Sequence, residues 1–195
     1  MNIVFKECHR IMHKDFPVPL LFWDMELQNF DIDSLLPELT RNDIWTSKGV
    51  IPGRNQHNGD SVILSEFLQS TEQFKIGFLD TVYNYDHNTF NERWWKSLDY
   101  YKDATHWNPF IFKDPPNFRM GKHYDNSHVV VQMIINLVDN TNGTHFHNPT
   151  TGEIMHTSSG KKGEGVLFFN NAGSPHSITN GDQTRYIFYA NIEFP

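Results

Sequence analysis

Hydrophobic and polar positions change their rhythm about half-way along the chain. From about residue 109 the pattern is that of β strands. The run Val129-Val130-Val131-Gln132-Met133-Ile134-Ile135-Asn136-Leu137 is rich in β-branched residues, and its even-numbered side (Val130, Gln132, Ile134, Asn136) carries all of its polar groups. One face of such a strand meets a core and the other meets something that needs polar contacts. Gly165 to Asn170 reads as a second strand. Thr184 to Phe194 reads as a third, whose alternation sets Arg185, Ile187, Tyr189 and Asn191 opposite Tyr186, Phe188, Ala190 and Ile192. Turn-rich stretches at 139–143, 148–152, 158–163 and 180–182 lie between them. Strands spaced in this way predict a sandwich or jelly roll.

Before about residue 105 the pattern is mixed. Asp31 or Asp33 is placed to cap a short helix through Leu35, Leu36 and Leu39. Asp60 or Ser61 is placed to cap a longer one through Ile63, Leu64, Phe67, Phe74, Phe78 and Val82. The expected fold is therefore mainly β with flanking helices (α+β). The expected organisation is a single domain over 1–195, with 1–108 a mixed α/β flanking and support region and 109–195 the jelly-roll core. The helices of the first half are expected to pack on the outside of one sheet.

A length of 195 residues suits one core and one active site. Sixteen Lys and Arg against 23 Asp and Glu leave a formal charge of −7, so no phosphate-tracking surface is indicated, and nucleic acid is not suggested as a partner. Cys8 is the single cysteine and cannot form an intramolecular disulfide, and the first residues lack the pattern of a signal peptide. A reducing, cytoplasmic setting is expected. The best apolar run, Val129 to Val138, is interrupted by Gln132 and Asn136 and falls short of the roughly 18 apolar residues of a membrane span. Eleven histidines leave room for metal chemistry.

Gly121-Lys122-His123-Tyr124-Asp125 places a histidine and a carboxylate two residues apart, so on an extended chain both side chains point the same way. His176, in Gly173-Ser174-Pro175-His176-Ser177, is the best third ligand. Two histidines and one carboxylate on one face of an octahedron leave three positions open, which is the donor set of non-haem Fe(II) oxygenases. Two of the open positions suit 2-oxoglutarate and one suits dioxygen. Arg185, nine residues beyond His176 at the inward phase of the next strand, could bind the distal carboxylate of that keto acid bidentately.

Several of these pieces together resemble the Fe(II)/2-oxoglutarate oxygenase domain of the prolyl 4-hydroxylase type, including the small versions carried by bacteriophages and bacteria. They are Met120 to Asp125, Ile134-Ile135-Asn136-Leu137, Asn142-Gly143-Thr144-His145-Phe146, Lys162 to Phe169, Pro175-His176-Ser177-Ile178 and Thr184-Arg185-Tyr186. The resemblance runs from about Asn117 to Phe194, about 40% of the chain. It implies a double-stranded β-helix, iron on His123, Asp125 and His176, and 2-oxoglutarate on Arg185, with ascorbate as a supporting reductant. Prolyl 4-hydroxylases often place a tyrosine on the strand after the His-x-Asp to touch the cosubstrate. The matching position here is Asn136, whose amide can donate a similar hydrogen bond. Collagen-type members use lysine where this chain has Arg185, so the resemblance points to other branches. The implied activity is hydroxylation of a substrate C–H bond with release of succinate and CO2. A prolyl residue in a protein is the first candidate substrate, a small metabolite or a nucleobase the others. The implied location is the cytoplasm, that of the host if the chain is phage-encoded.

Two other readings compete. A cupin would bind metal through His145, His147, Glu153 and His176, but leaves His123, Asp125 and Arg185 without tasks. A non-catalytic jelly-roll binding domain would be marked by a broken triad or a missing carboxylate anchor, and neither is broken here. Trp94-Trp95, with Tyr100 and Tyr101 nearby, could stack on a base or a proline ring, although packing in the helical half accounts for them more simply. His128 lies three residues past Asp125, on the opposite strand phase, and reads as structural.

Overall fold

Strand β7 (Val129–Asn136), the run with amides on one side, is buried along its whole length. Its position explains this: it lies in the middle of an eight-stranded sheet and is covered on both faces. The computed structural model describes residues 1–13, 16–75 and 106–193, and these contain twelve strands in two antiparallel sheets. The larger sheet also contains β1 (Asn2–His13), β2 (Phe16–Gln28), β3 (Trp45–Ser47), β4 (Asn55–His57), β5 (His106–Asp114), β10 (Glu164–Phe169) and β12 (Arg185–Glu193), in the order β1-β2-β10-β7-β12-β5-β4-β3. The smaller sheet contains β6 (Arg119–His123), β8 (Thr144–His147), β9 (Ile154–Thr157) and β11 (His176–Thr179), in the order β6-β11-β8-β9. This is the expected jelly roll.

Period-two alternation sorts the large sheet's side chains between two cores. Phe22, Ile134, Val166, Phe168 and Ile187 point to the small sheet and meet Phe146 of β8. Leu21, Trp23, Met133, Ile135, Leu167, Phe188 and Ile192 point the other way and meet Leu35, Leu39, Leu64 and Phe67 of the helical segments. Fully burying one such Phe or Leu contributes about 1.5–3 kcal/mol, so both faces of β7 are strongly pinned. Gly165 lets β10 approach β7, because a Cβ there would strike the Ile134 carbonyl.

The helix caps are those the sequence suggests. Asp31 accepts from the Asp33 N–H at 3.1 Å and opens a 3-10 turn (Ile32–Leu35) that runs into α1 (Leu36–Leu39). Ser61 Oγ accepts from the Leu64 N–H at 3.3 Å and starts α2 (Val62–Ser70). That helix is shorter than expected: Thr71 Oγ1 turns back to the Leu68 carbonyl at 2.6 Å and interrupts it, and Phe74 belongs to the helical residues that follow at 72–75. Phe78, Val82, Trp94, Trp95, Tyr100, Tyr101 and Phe194 lie outside the described residues.

The first half differs from expectation in a larger way, since it contributes four strands to the large sheet besides its helices. Leu20 to Trp23 in β2 is an unbroken apolar run, because both faces of the strand are covered and alternation is lost. No helix among the described residues is long and apolar enough to cross a membrane.

Candidate metal centre and anion pocket

His123 closes β6 and His176 opens β11, and the antiparallel ladder sets them directly opposite each other. Their ring centroids are 4.3 Å apart. Asp125, two residues past His123, completes the group: its Oδ1 is 3.6 Å from His123 Nε2 and its Oδ2 is 3.5 Å from His176 Nε2. All three ligand atoms lie within 4.8 Å of one another, close enough to share one ion.

Both imidazoles have their tautomer fixed. His123 Nδ1 is 2.8 Å from the Gly121 carbonyl and His176 Nδ1 is 3.1 Å from the Ser174 carbonyl. A carbonyl only accepts, so each Nδ1 carries the proton and each Nε2 turns a lone pair to the centre. His176 is buried against Phe168 and Phe146, with centroids at 5.0 and 6.2 Å. Burial pushes its pKa down to about 4, opposed by the Asp125 charge, so the ring is neutral at pH 7 and able to ligate. Asn170 donates to the Asn126 and Val129 carbonyls, each at 2.9 Å, which holds the turn after Asp125. The donor set, two neutral imidazoles and one carboxylate converging from one side, fits a facial Fe(II) site.

The cupin set is not brought together. Among the described residues His123, Asp125 and His176 form the one group that could hold a metal. His147 donates from Nδ1 to the Gly152 carbonyl at 2.9 Å and accepts at Nε2 from Ser177 Oγ at 2.7 Å. His145 Nδ1 is held by Thr157 Oγ1 at 2.8 Å, and the β8–β9 ladder is irregular between Phe146 and His147. His128 lies 3.8 Å from Glu193 and away from the group.

Arg185 opens β12 on the face that Ile187 and Tyr189 share, directed between the sheets. It is 1% exposed, and Nε, Nη1 and Nη2 all lack a hydrogen-bond partner. Its nearest carboxylate, Asp114, stands 3.8 Å from Nη1. Burial lowers the guanidinium pKa to about 10, with Asp114 opposing, so it stays charged. A buried guanidinium whose N–H groups make no hydrogen bond is costly, and a carboxylate that accepts from them would relieve that cost.

No family model matches the sequence, and no curated protein does. Solved structures match the fold. A Pseudomonas putida prolyl 4-hydroxylase is 13% identical over 89% of this chain and 92% of its own, with a TM-score of 0.60. A prolyl hydroxylase from Trichoplax adhaerens, in complex with a peptide fragment of the hypoxia inducible factor oxygen degradation domain, is 12% identical over 89% and 83%, with a TM-score of 0.59. The viral collagen prolyl hydroxylase of Paramecium bursaria Chlorella virus 1, in its 2-oxoglutarate complex, is 13% identical over 89% and 96%, with a TM-score of 0.51. This chain has the prolyl 4-hydroxylase fold.

On that fold, Asn136 differs from the donor expected of it. Its Nδ2 donates to the Ser159 carbonyl at 2.9 Å and to the Glu164 carbonyl at 3.1 Å, so both hydrogens are used, and the unpartnered atom is Oδ1. Flipping the amide would set its oxygen against two carbonyls, which fixes this orientation.

Sequence reasoning missed a second polar group. Gln132 is fully buried with neither amide atom partnered, and Asn191, its cross-strand partner on β12, has an unpartnered Oδ1. Asn191 Nδ2 donates to the Tyr189 hydroxyl at 3.3 Å. These groups lie at the end of the interior where His176 and Asp125 sit: Gln132 pairs with Phe168, against which His176 packs, and Asp125 helps burial to raise the Tyr189 pKa. The signal was in the alternation that put Gln132 and Asn191 on inward phases.

Proposed function

We propose that the chain is an Fe(II)- and 2-oxoglutarate-dependent oxygenase that hydroxylates a C–H bond of its substrate while 2-oxoglutarate is converted to succinate and CO2. The observation that carries this reading is the fully buried Arg185 guanidinium, whose nitrogens make no hydrogen bond, in the same inter-sheet interior as the His123, Asp125 and His176 cluster. A metal triad alone suits many reactions. A triad with a carboxylate receptor deep behind it suits a chelating keto acid with a distal carboxylate.

In this reading His123, Asp125 and His176 hold the metal, and the two Nδ1–H···O=C contacts keep both nitrogens correctly presented. Arg185 binds the C5 carboxylate. Asn136 acts by position, tying the Ser159 and Glu164 backbone beside the pocket. The bound iron and 2-oxoglutarate supply the oxidising power, with dioxygen as the oxidant. The protein's share is to orient the reactants and keep water out, and the apolar walls of Ile134, Phe146, Phe168 and Ile187 do the latter. His123 and Asp125 are partly exposed, whereas His176 is not, so the substrate approaches from their side. We take the chain as one catalytic unit, since strands from both halves build the same sheet. The peptide held by the Trichoplax adhaerens enzyme supports a protein substrate, with a prolyl residue as first choice.

Incubation with Fe(II), ascorbate and 2-oxoglutarate tests the reading. Succinate is expected to form slowly without substrate and faster with a proline-containing peptide if that is the substrate class. No succinate, together with no bound metal, overturns the proposal.

A further inference from the structure

A third charged group in the interior has no task in the scheme above. Arg54 ends the turn between β3 and β4, where Gly53 adopts a positive φ of 86° and the Lys48 N–H donates to the Arg54 carbonyl at 2.8 Å. The side chain is 4% exposed and its guanidinium lies over the rings of Phe112 and Phe118, at 4.9 and 5.2 Å. Nε and Nη2 donate to Oδ1 and Oδ2 of Asp114, both at 2.7 Å. Asp114 is fully buried and stands directly opposite Arg185 in the β5–β12 ladder. Two buried guanidiniums therefore face one carboxylate, and the carboxylate is committed to Arg54.

We propose that Arg54 is a positioning residue that keeps the anion pocket open: by engaging both oxygens of Asp114 it prevents that carboxylate from closing on Arg185. The inference rests on the 2-oxoglutarate reading of the pocket. Asp114 Oδ2 needs to move only about 1 Å to make a charge-assisted hydrogen bond to Arg185 Nη1, and burial gives it every reason to do so. The bidentate fork of Arg54 supplies a better-matched partner and removes that incentive. It also leaves the cluster with one positive charge in excess, in a buried interior, so the pocket favours a ligand that brings a carboxylate of its own.

Calorimetry on the Mn(II)-loaded chain separates this role from a structural one by comparing 2-oxoglutarate with oxalate, which chelates the metal but has no distal carboxylate. Arg54→Met, which keeps an apolar stem between the two rings, is expected to weaken 2-oxoglutarate about tenfold or more and to leave Mn(II) and oxalate affinity unchanged. Adding Asp114→Asn is expected to restore most of the loss, because a neutral amide no longer competes for Arg185. Arg54→Lys, a charge without the fork, is expected to fall between. Wild-type 2-oxoglutarate affinity in Arg54→Met overturns the inference, as does equal loss of oxalate and 2-oxoglutarate, or a folded double variant without recovery. If the unsubstituted Mn(II) chain fails to bind 2-oxoglutarate, the underlying reading falls and takes the inference with it.

Discussion

His123 and His176 face each other across the β6–β11 ladder with ring centroids 4.3 Å apart, and the Asp125 carboxylate turns one oxygen to each Nε2, at 3.6 and 3.5 Å. The carboxylate is the only anionic donor of the three, so it neutralises part of the ion's charge as well as ligating it. Asp125→Ala is expected to weaken Mn(II) binding by more than the roughly 10–100-fold that loss of a group behind a ligand costs. Titration calorimetry showing unchanged Mn(II) affinity would contradict the assignment.

Arg185 separates anion binding from metal binding. Arg185→Ala is expected to raise the KM for 2-oxoglutarate about tenfold or more while Mn(II) affinity stays near wild type. Arg185→Lys is expected to recover part of the loss, because a point charge keeps the attraction without the fork. Since the native guanidinium is buried with all three nitrogens unpartnered, Arg185→Met is expected to leave the metal-free Tm unchanged or higher. A steep fall in Tm would show that the side chain is structural.

Gln132 carries a stability cost that function would explain. A fully buried amide with neither atom partnered costs about 1–3 kcal/mol of desolvation, and a leucine of similar length does not. Gln132→Leu is therefore expected to raise the Tm of the metal-free chain and to lower substrate-dependent succinate formation, with little change in the slow turnover without substrate. A Tm below wild type would mean that the amide is satisfied inside the fold.

Acid is expected to destabilise the metal-free chain. His57 accepts the Ser61 N–H at Nε2, 3.3 Å away at the start of α2, and burial holds its pKa below the ordinary value against the nearby Asp60 and Glu38 charges. His176 is lowered by burial to about 4. Unfolded histidine takes up its proton near pH 6.5, so below that value the unfolded state binds more protons than the folded one. Stability is then full above about pH 6.5 and falls as the pH drops towards 4. Tm measured across that window should show the slope, and His57→Gln, whose amide oxygen can still accept but does not titrate, should make it shallower. An unchanged slope in that variant would remove His57 from the account.

The sequence by itself determined whatever depends on local direction. Period two fixed that His123 and Asp125 point the same way, and that Asn136, Gln132, Arg185 and Asn191 lie on inward phases, while cap chemistry narrowed the helix starts to Asp31 or Asp33 and to Asp60 or Ser61, of which the fold uses Asp31 and Ser61. Which strands become neighbours is a different kind of fact, since it depends on the register of whole sheets and on contacts between residues far apart in the chain. The order of the motifs had already named His176, but only the tertiary structure set it directly opposite His123, and drew β1 and β2 into the large sheet. It alone committed Asp114 to Arg54, sixty positions away, and so left Arg185 buried, charged and open. Periodicity says which way a side chain points; the fold decides what it meets there.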